Sequence, residues 1–152
     1  MAKRRSYYGA TDLRTSARPG TKRFGEYLAY LFGSRTIGIY ANRNIAATPR
    51  KSTHATGRAL DQAGDANARR AMLAFLDTHC RHALQAIHDY ENDYQPGEYG
   101  AAYRCDRDAW KTYERPTIKP SGANHHWIHL ELEPEYADSP DEVNNLFRRI
   151  FS

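Results

Sequence analysis

Apolar residues in this chain follow two different periods, and the places where one gives way to the other outline its elements. Phe24, Tyr27, Leu28 and Leu31 recur at helical spacing, and Gly33 suits the stop. Thr36 to Ala41 reads as a strand, and Arg58 to Gln62 as a second, short one. From Ala66 to about His82 the helical period returns, with Ala68, Ala71, Met72, Phe75 and Leu76 on the buried side. Leu84 to His88 reads as another strand. Further on, Ile128, Leu130 and Leu132 face one way, while His125, Trp127, His129, Glu131 and Glu133 face the other. That two-residue period marks a strand with one face in the core. Ser139-Pro140-Asp141-Glu142 is a capping box with proline at the first helical position, and Val143, Leu146, Phe147, Ile150 and Phe151 give a terminal helix that docks on the core. Between Glu91 and Gly122 neither period holds, and the stretch reads as long and irregular, a candidate wall for a substrate cleft.

These elements predict an α+β domain: a small antiparallel sheet with helices packed against it. The length of 152 residues suits one such domain, and no repeat or linker divides it. The net charge of +4 is unevenly placed. Lys3, Arg4, Arg5, Arg14, Arg18, Lys22 and Arg23 face only Asp12 in the first 23 residues, so the remainder is acidic on balance. Residues 1–20 therefore read as a basic, flexible arm and 21–152 as the folded domain. Such an arm suits an anionic polymer, whether nucleic acid or a bacterial wall. It contains no base-reading motif, and Tyr7-Tyr8 alone is too little for stacking, so nucleic acid is not the expected partner. Cys80 and Cys105 lack metal-thiolate spacing and read as reduced thiols. No apolar run is long enough to span a membrane, and no apolar segment follows the basic start as a signal peptide requires.

The chemistry concentrates in two places. Ser52-Thr53-His54-Ala55-Thr56-Gly57-Arg58-Ala59-Leu60-Asp61 sets a histidine and an aspartate seven residues apart with a glycine between them. Gly57 permits an unusual backbone angle or a close approach, so the chain can fold back and bring His54 and Asp61 to one point. His125-His126-Trp127-Ile128-His129 is the second place, with His129 on the polar face of its strand. Two imidazoles and one carboxylate suit a catalytic zinc with an open fourth position. On spacing alone, metal binding and ordinary structural roles both stay open. Glu131, one pleat beyond His129, reads as a solvated strand glutamate, with support of an imidazole as the alternative. His79, His82 and His88 belong to no motif and read as ordinary surface or core residues.

Ser52-x-His54-x-x-Gly57-x-Ala59-x-Asp61 resembles the signature of the zinc D-alanyl-D-alanine carboxypeptidases and phage L-alanyl-D-glutamate endopeptidases, a family that shares its fold with the Hedgehog signalling domain. Trp127-Ile128-His129-Leu130-Glu131 resembles the family's second motif, and Tyr40 to Ala46 its strand-then-arginine segment. The resemblance runs from about Thr36 to Glu133, sharpest in the first motif. It implies one zinc per chain held by His54, Asp61 and His129, with Arg43 contacting substrate and helping to neutralise the oxyanion. It also implies peptidoglycan as substrate, and an endolysin or virion-associated lysin that reaches the wall after release or with other virion proteins. One position departs from the family. Three residues before the last ligand, where a carboxylate base is usual, stands His126. An imidazole can accept a proton near neutral pH, so His126 is the candidate base, with His125, Asp89 and Asp106 as alternatives. The same departure admits a zinc-containing binding module without catalysis.

Overall fold

The computed structural model describes residues 4–45, 48–94, 97–116 and 126–152. Among these, six strands form one antiparallel sheet in the order β1-β2-β6-β3-β4-β5, and four helices accompany it. The strands are β1 (Arg35–Gly38), β2 (Ala59–Ala63), β3 (Leu84–Asp89), β4 (Ala101–Arg104), β5 (Ala109–Thr112) and β6 (Trp127–Leu132). The helices are α1 (Pro19–Phe32), α2 (Ala66–His79), α3 (Pro134–Asp138) and α4 (Pro140–Ile150). The α+β class follows directly.

Several local signals do what their chemistry dictates. Gly33 ends α1 in the left-handed conformation, and its N–H donates to Ala29 O. The Ser139 side chain caps α4 by accepting from Glu142 N at 3.2 Å. Both cysteines are buried and unpaired by disulfide, and burial pushes their thiols up to about 12 for Cys80 and about 11 for Cys105, which keeps them inert.

The sheet's two faces have different fates. Leu60, Leu130, Ile87, Tyr103 and Trp110 are cross-strand partners in one row, and this row faces the helices. Against it pack Phe24 and Leu28 of α1, Met72, Leu73 and Leu76 of α2, and Val143, Leu146 and Phe147 of α4. Each fully buried aliphatic or aromatic side chain there contributes on the order of 2 kcal/mol, so this layer holds the sheet rigid. The adjacent row, one residue along every strand, is Asp61, His129, His88, Ala102 and Lys111, on the opposite face.

Four expectations need correction. The stretch from Glu91 to Gly122 is not irregular throughout, because β4 and β5 form a hairpin inside it. Their strands of four residues are too short to establish a period. β1 stops at Gly38 rather than Ala41, where its register with β2 is already shifting. α2 stops at His79, with a single 3₁₀ turn (Arg81–Ala83) leading into β3. Nor is the segment after Arg4 a free arm. Arg5 donates to the carbonyls of Arg81, His82 and Leu84 and pairs with Glu133, and Arg18 is buried.

Candidate metal centre

Ser52 begins the construction of the site. Its hydroxyl accepts from His54 N at 3.2 Å and caps the 3₁₀ turn Thr53–Thr56 that carries His54. Gly57 then leaves the turn at φ +74°, and a Cβ there would stand 2.7 Å from Ser16 O. Both reasons expected for a glycine apply at this position. The chain re-enters the sheet as β2, and cross-strand pairing sets Asp61 opposite His129 and His129 opposite His88.

The three residues expected as ligands converge. His54 Nε2 lies 3.1 Å from Asp61 Oδ2, and His129 Nδ1 lies 3.0 Å from Asp61 Oδ1. The two imidazoles meet edge to face with ring centres 5.0 Å apart. All three are buried or nearly so, and one ligand atom from each falls within 4.8 Å of the others.

Each ring is anchored by its outer nitrogen. His54 Nδ1 lies 2.7 Å from Ile39 O, a carbonyl that can only accept, so Nδ1 donates there and Nε2 is the nitrogen that faces Asp61. His129 Nε2 lies 2.9 Å from Glu131 Oε2, which leaves Nδ1 for the common point. This carboxylate–histidine arrangement is the one metal-ligating imidazoles use to fix tautomer and orientation. His54, Asp61 and His129 therefore form a group that could hold a metal ion.

Electrostatics favour a cation there. Burial raises the Asp61 pKa, but hydrogen bonds from His129 and His54 overcome it and hold the carboxyl far below its usual range. The same competition at Glu131 leaves it at about 2, again through His129. Burial works against a charged His129, yet Asp61 and Glu131 on either side raise it to about 10. As an imidazolium, His129 donates from Nδ1 to Asp61 and from Nε2 to Glu131.

Glu131 is not the solvated residue its place in the strand suggested. It is 4% exposed, and Tyr7 donates its hydroxyl to Oε1 at 2.5 Å. The cause is coverage of the second sheet face: Tyr7 from the N-terminal segment lies over it, with Arg104 stacked 4.0 Å from the Tyr7 ring. His88 was likewise underestimated. Its ring centre is 5.0 Å from that of His129, its Nδ1 contacts Tyr113 Oη, and with His129 and Glu131 it forms a second group of ligand-type side chains. Burial lowers the His88 pKa to about 4, with the positive charge of His129 adding to the effect. The signal that would have found it is register: His88 and His129 pair across antiparallel strands.

The remaining candidates lie outside this cluster. Arg43 is exposed, on a loop tied to the ligand turn by Ser52 N donating to Arg43 O at 2.9 Å. His126 is exposed one residue before β6, and its carbonyl accepts from Gly64 N at 3.0 Å. Asp89 accepts from Asp93 N and Tyr94 N, which fixes the turn after β3, and Asp106 pairs with Arg104. Neither carboxylate joins the ligand group. His125, like Ala46 of the arginine segment, lies outside the described residues. No family model matches the chain, and neither does any curated protein or solved structure.

Proposed function

We propose that this protein is a zinc-dependent peptidase acting on the stem peptides of bacterial peptidoglycan, with the Hedgehog/DD-peptidase-like fold of the family its signature resembles. The observation that carries the reading is the convergence of His54 Nε2, the Asp61 carboxylate and His129 Nδ1, with both outer nitrogens already engaged. When bound there, zinc supplies Lewis-acid chemistry that polarises the scissile carbonyl and acidifies water. The residues of the chain do the rest. His54 and His129 are held by Ile39 O and Glu131, so the ligand geometry needs little rearrangement. Arg43, on the loop joined to Ser52, brings a guanidinium to the developing oxyanion. His126 accepts the proton from the attacking water, in place of the family's carboxylate. No helix among the described residues is long and apolar enough to cross a membrane, and the proposed lysin reaches the wall by release or as part of a virion.

The reading is tested by incubating the zinc-loaded protein with purified walls and identifying released muropeptides by mass spectrometry. New termini at stem-peptide bonds are expected, abolished by a chelator, restored by zinc and missing in Asp61→Ala. His54→Ala, Asp61→Ala and His129→Ala should each lose most of the roughly one zinc per chain found by elemental analysis. Full occupancy in all three would remove the site. A second reading, a zinc-containing virion or wall-binding module without turnover, is favoured by one observation: His126 is exposed, with no side-chain partner among the described residues. Zinc retention and wall binding without any released peptide would select it.

A further inference from the structure

The row of residues that holds the ligands does not end at His88. Across the same sheet face it continues through Ala102 of β4 to Lys111 of β5. Ala102 is the small residue in this row, and its methyl leaves a trough between the imidazole of His88 and the ammonium of Lys111. A cleft of about 560 Å³ occupies this trough, bordered by His88, Ala102, Arg107, Lys111, Tyr113 and Arg115. The charges on its rim are one-sided. Arg104, Arg107, Lys111 and Arg115 stand against Glu114 alone.

Two of these cations are already employed. Arg104 pairs with Asp106 at 2.8 Å and covers Tyr7. Arg107 donates to Ala102 O at 3.0 Å, but its buried Nε has no partner among the described residues. Lys111 and Arg115 are exposed, and neither has a carboxylate within ion-pair distance among the described residues. A row of cations at a cleft that reaches His88, the cross-strand neighbour of His129, is an arrangement that collects anionic substrate groups.

We infer that the β4–β5 hairpin forms an anionic subsite, in which Lys111 and Arg115, backed by Arg107, take a carboxylate of the peptide substrate some residues away from the scissile bond. The inference rests on the peptidase reading for the identity of that substrate. Register sets the distance. Lys111 lies two strand spacings from His88 and three from His129, about 10 and 14 Å at roughly 4.8 Å per strand. An extended peptide covers the longer span in about four residues. A stem peptide carries carboxylates along its length, and the rim would discriminate a free carboxylate from its carboxamide.

The test is equilibrium binding to the full zinc-loaded chain carrying His126→Ala, which leaves the proposed ligands in place and slows consumption of the peptide. Two synthetic stem peptides are compared, identical except that the internal glutamyl α-group is a carboxylate in one and a carboxamide in the other. The carboxylate peptide should bind about tenfold more tightly, a margin that shrinks in high salt. Lys111→Glu with Arg115→Glu, both exposed positions, should erase the margin, whereas Arg148→Glu on α4 should leave it intact. Equal binding of the two peptides, no binding of either, or a margin that survives the double substitution would each overturn the subsite. So would loss of single-stranded DNA retention in the double variant with peptide discrimination unchanged, which would assign the cations to nucleic acid. Cleavage by the unsubstituted protein is scored separately. An absence of cleavage with the binding margin intact overturns the peptidase reading and leaves the subsite standing.

Discussion

Ser52 caps the turn that carries His54, Gly57 supplies φ +74° against Ser16 O, and Ala59 lies opposite Glu131 across β2 and β6. The fixed positions of the first motif thus divide into two proposed ligands and three residues of the turn and strand that carry them. Glu131 extends this logic to the second motif. Its carboxylate is the group that holds His129 Nε2, so neutralising it should loosen the ligand and lower the basicity of Nδ1. Glu131→Gln is expected to fold and to bind zinc about ten- to a hundredfold more weakly, measured by competition with a chromophoric chelator. Unchanged affinity would show that the contact is incidental. The base is tested at the same scale. His126→Ala should keep zinc and lose on the order of a hundredfold in wall cleavage, and His126→Glu should keep or raise it. That His54, Asp61 and His129 meet was legible because their residue types stand at a characteristic spacing on a turn and two strands. Glu131 and His88 were not, because their roles depend on a cross-strand register and on Tyr7 covering the face, and neither leaves a local pattern.

Elements are joined here by a few partly buried polar centres, and Asp77 is one of them. It belongs to α2, and its carboxylate accepts from Trp110 Nε1 of β5 at 2.9 Å, Arg81 Nε at 2.7 Å and Tyr94 Oη at 2.8 Å. One side chain therefore fastens the cleft hairpin and the turn after β3 to the helical layer. Burial raises its pKa, but the bonds from Trp110, Arg81 and Tyr94 outweigh this and leave it lowered. A lowered carboxyl stabilises the fold above its unfolded value and loses that contribution as pH falls through the folded one. Asp77→Ala should cost about 2–3 kcal/mol at pH 7, because three donors lose their acceptor. The gap in Tm between it and the unsubstituted protein should close as pH falls below the ordinary carboxylate range. A gap independent of pH would mean that packing, not charge, is lost. The helices and the longer strands could be read from periodicity, since several turns or pleats repeat the signal. The β4–β5 hairpin could not, because its strands are brief and what holds them is this long-range anchoring.

At the scale of the molecule, the N-terminal segment reaches both the 3₁₀ turn before β3 and the sheet face that carries Asp61, His129 and His88. Its composition suggested a loose basic arm, yet charge alone does not reveal a binding site for an arginine. The Arg5 guanidinium reaches Arg81 O at 2.6 Å, His82 O at 2.9 Å and Leu84 O at 3.0 Å, and pairs with Glu133 at 2.5 Å. Two residues on, Tyr7 caps Glu131, and further on Arg14 N and Arg18 N donate to Ala55 O and Gly57 O of the ligand turn. Removing residues 1–8 should therefore do two things at once. Loss of Arg5 takes one donor from each of three carbonyls and from Glu133, which keeps Gln85 Nε2, an expected cost of about 2–4 kcal/mol, seen as a fall of roughly 5–15 °C in Tm. Loss of Tyr7 frees Glu131 and should weaken zinc binding beyond what lower stability explains. Point variants separate the two effects. Arg5→Ala should reproduce most of the thermal loss with zinc affinity nearly intact in the folded protein, and Tyr7→Phe should do the reverse. A truncated protein with unchanged Tm and unchanged zinc affinity would return the segment to the role its charge suggested, a free arm that meets its partner away from the site.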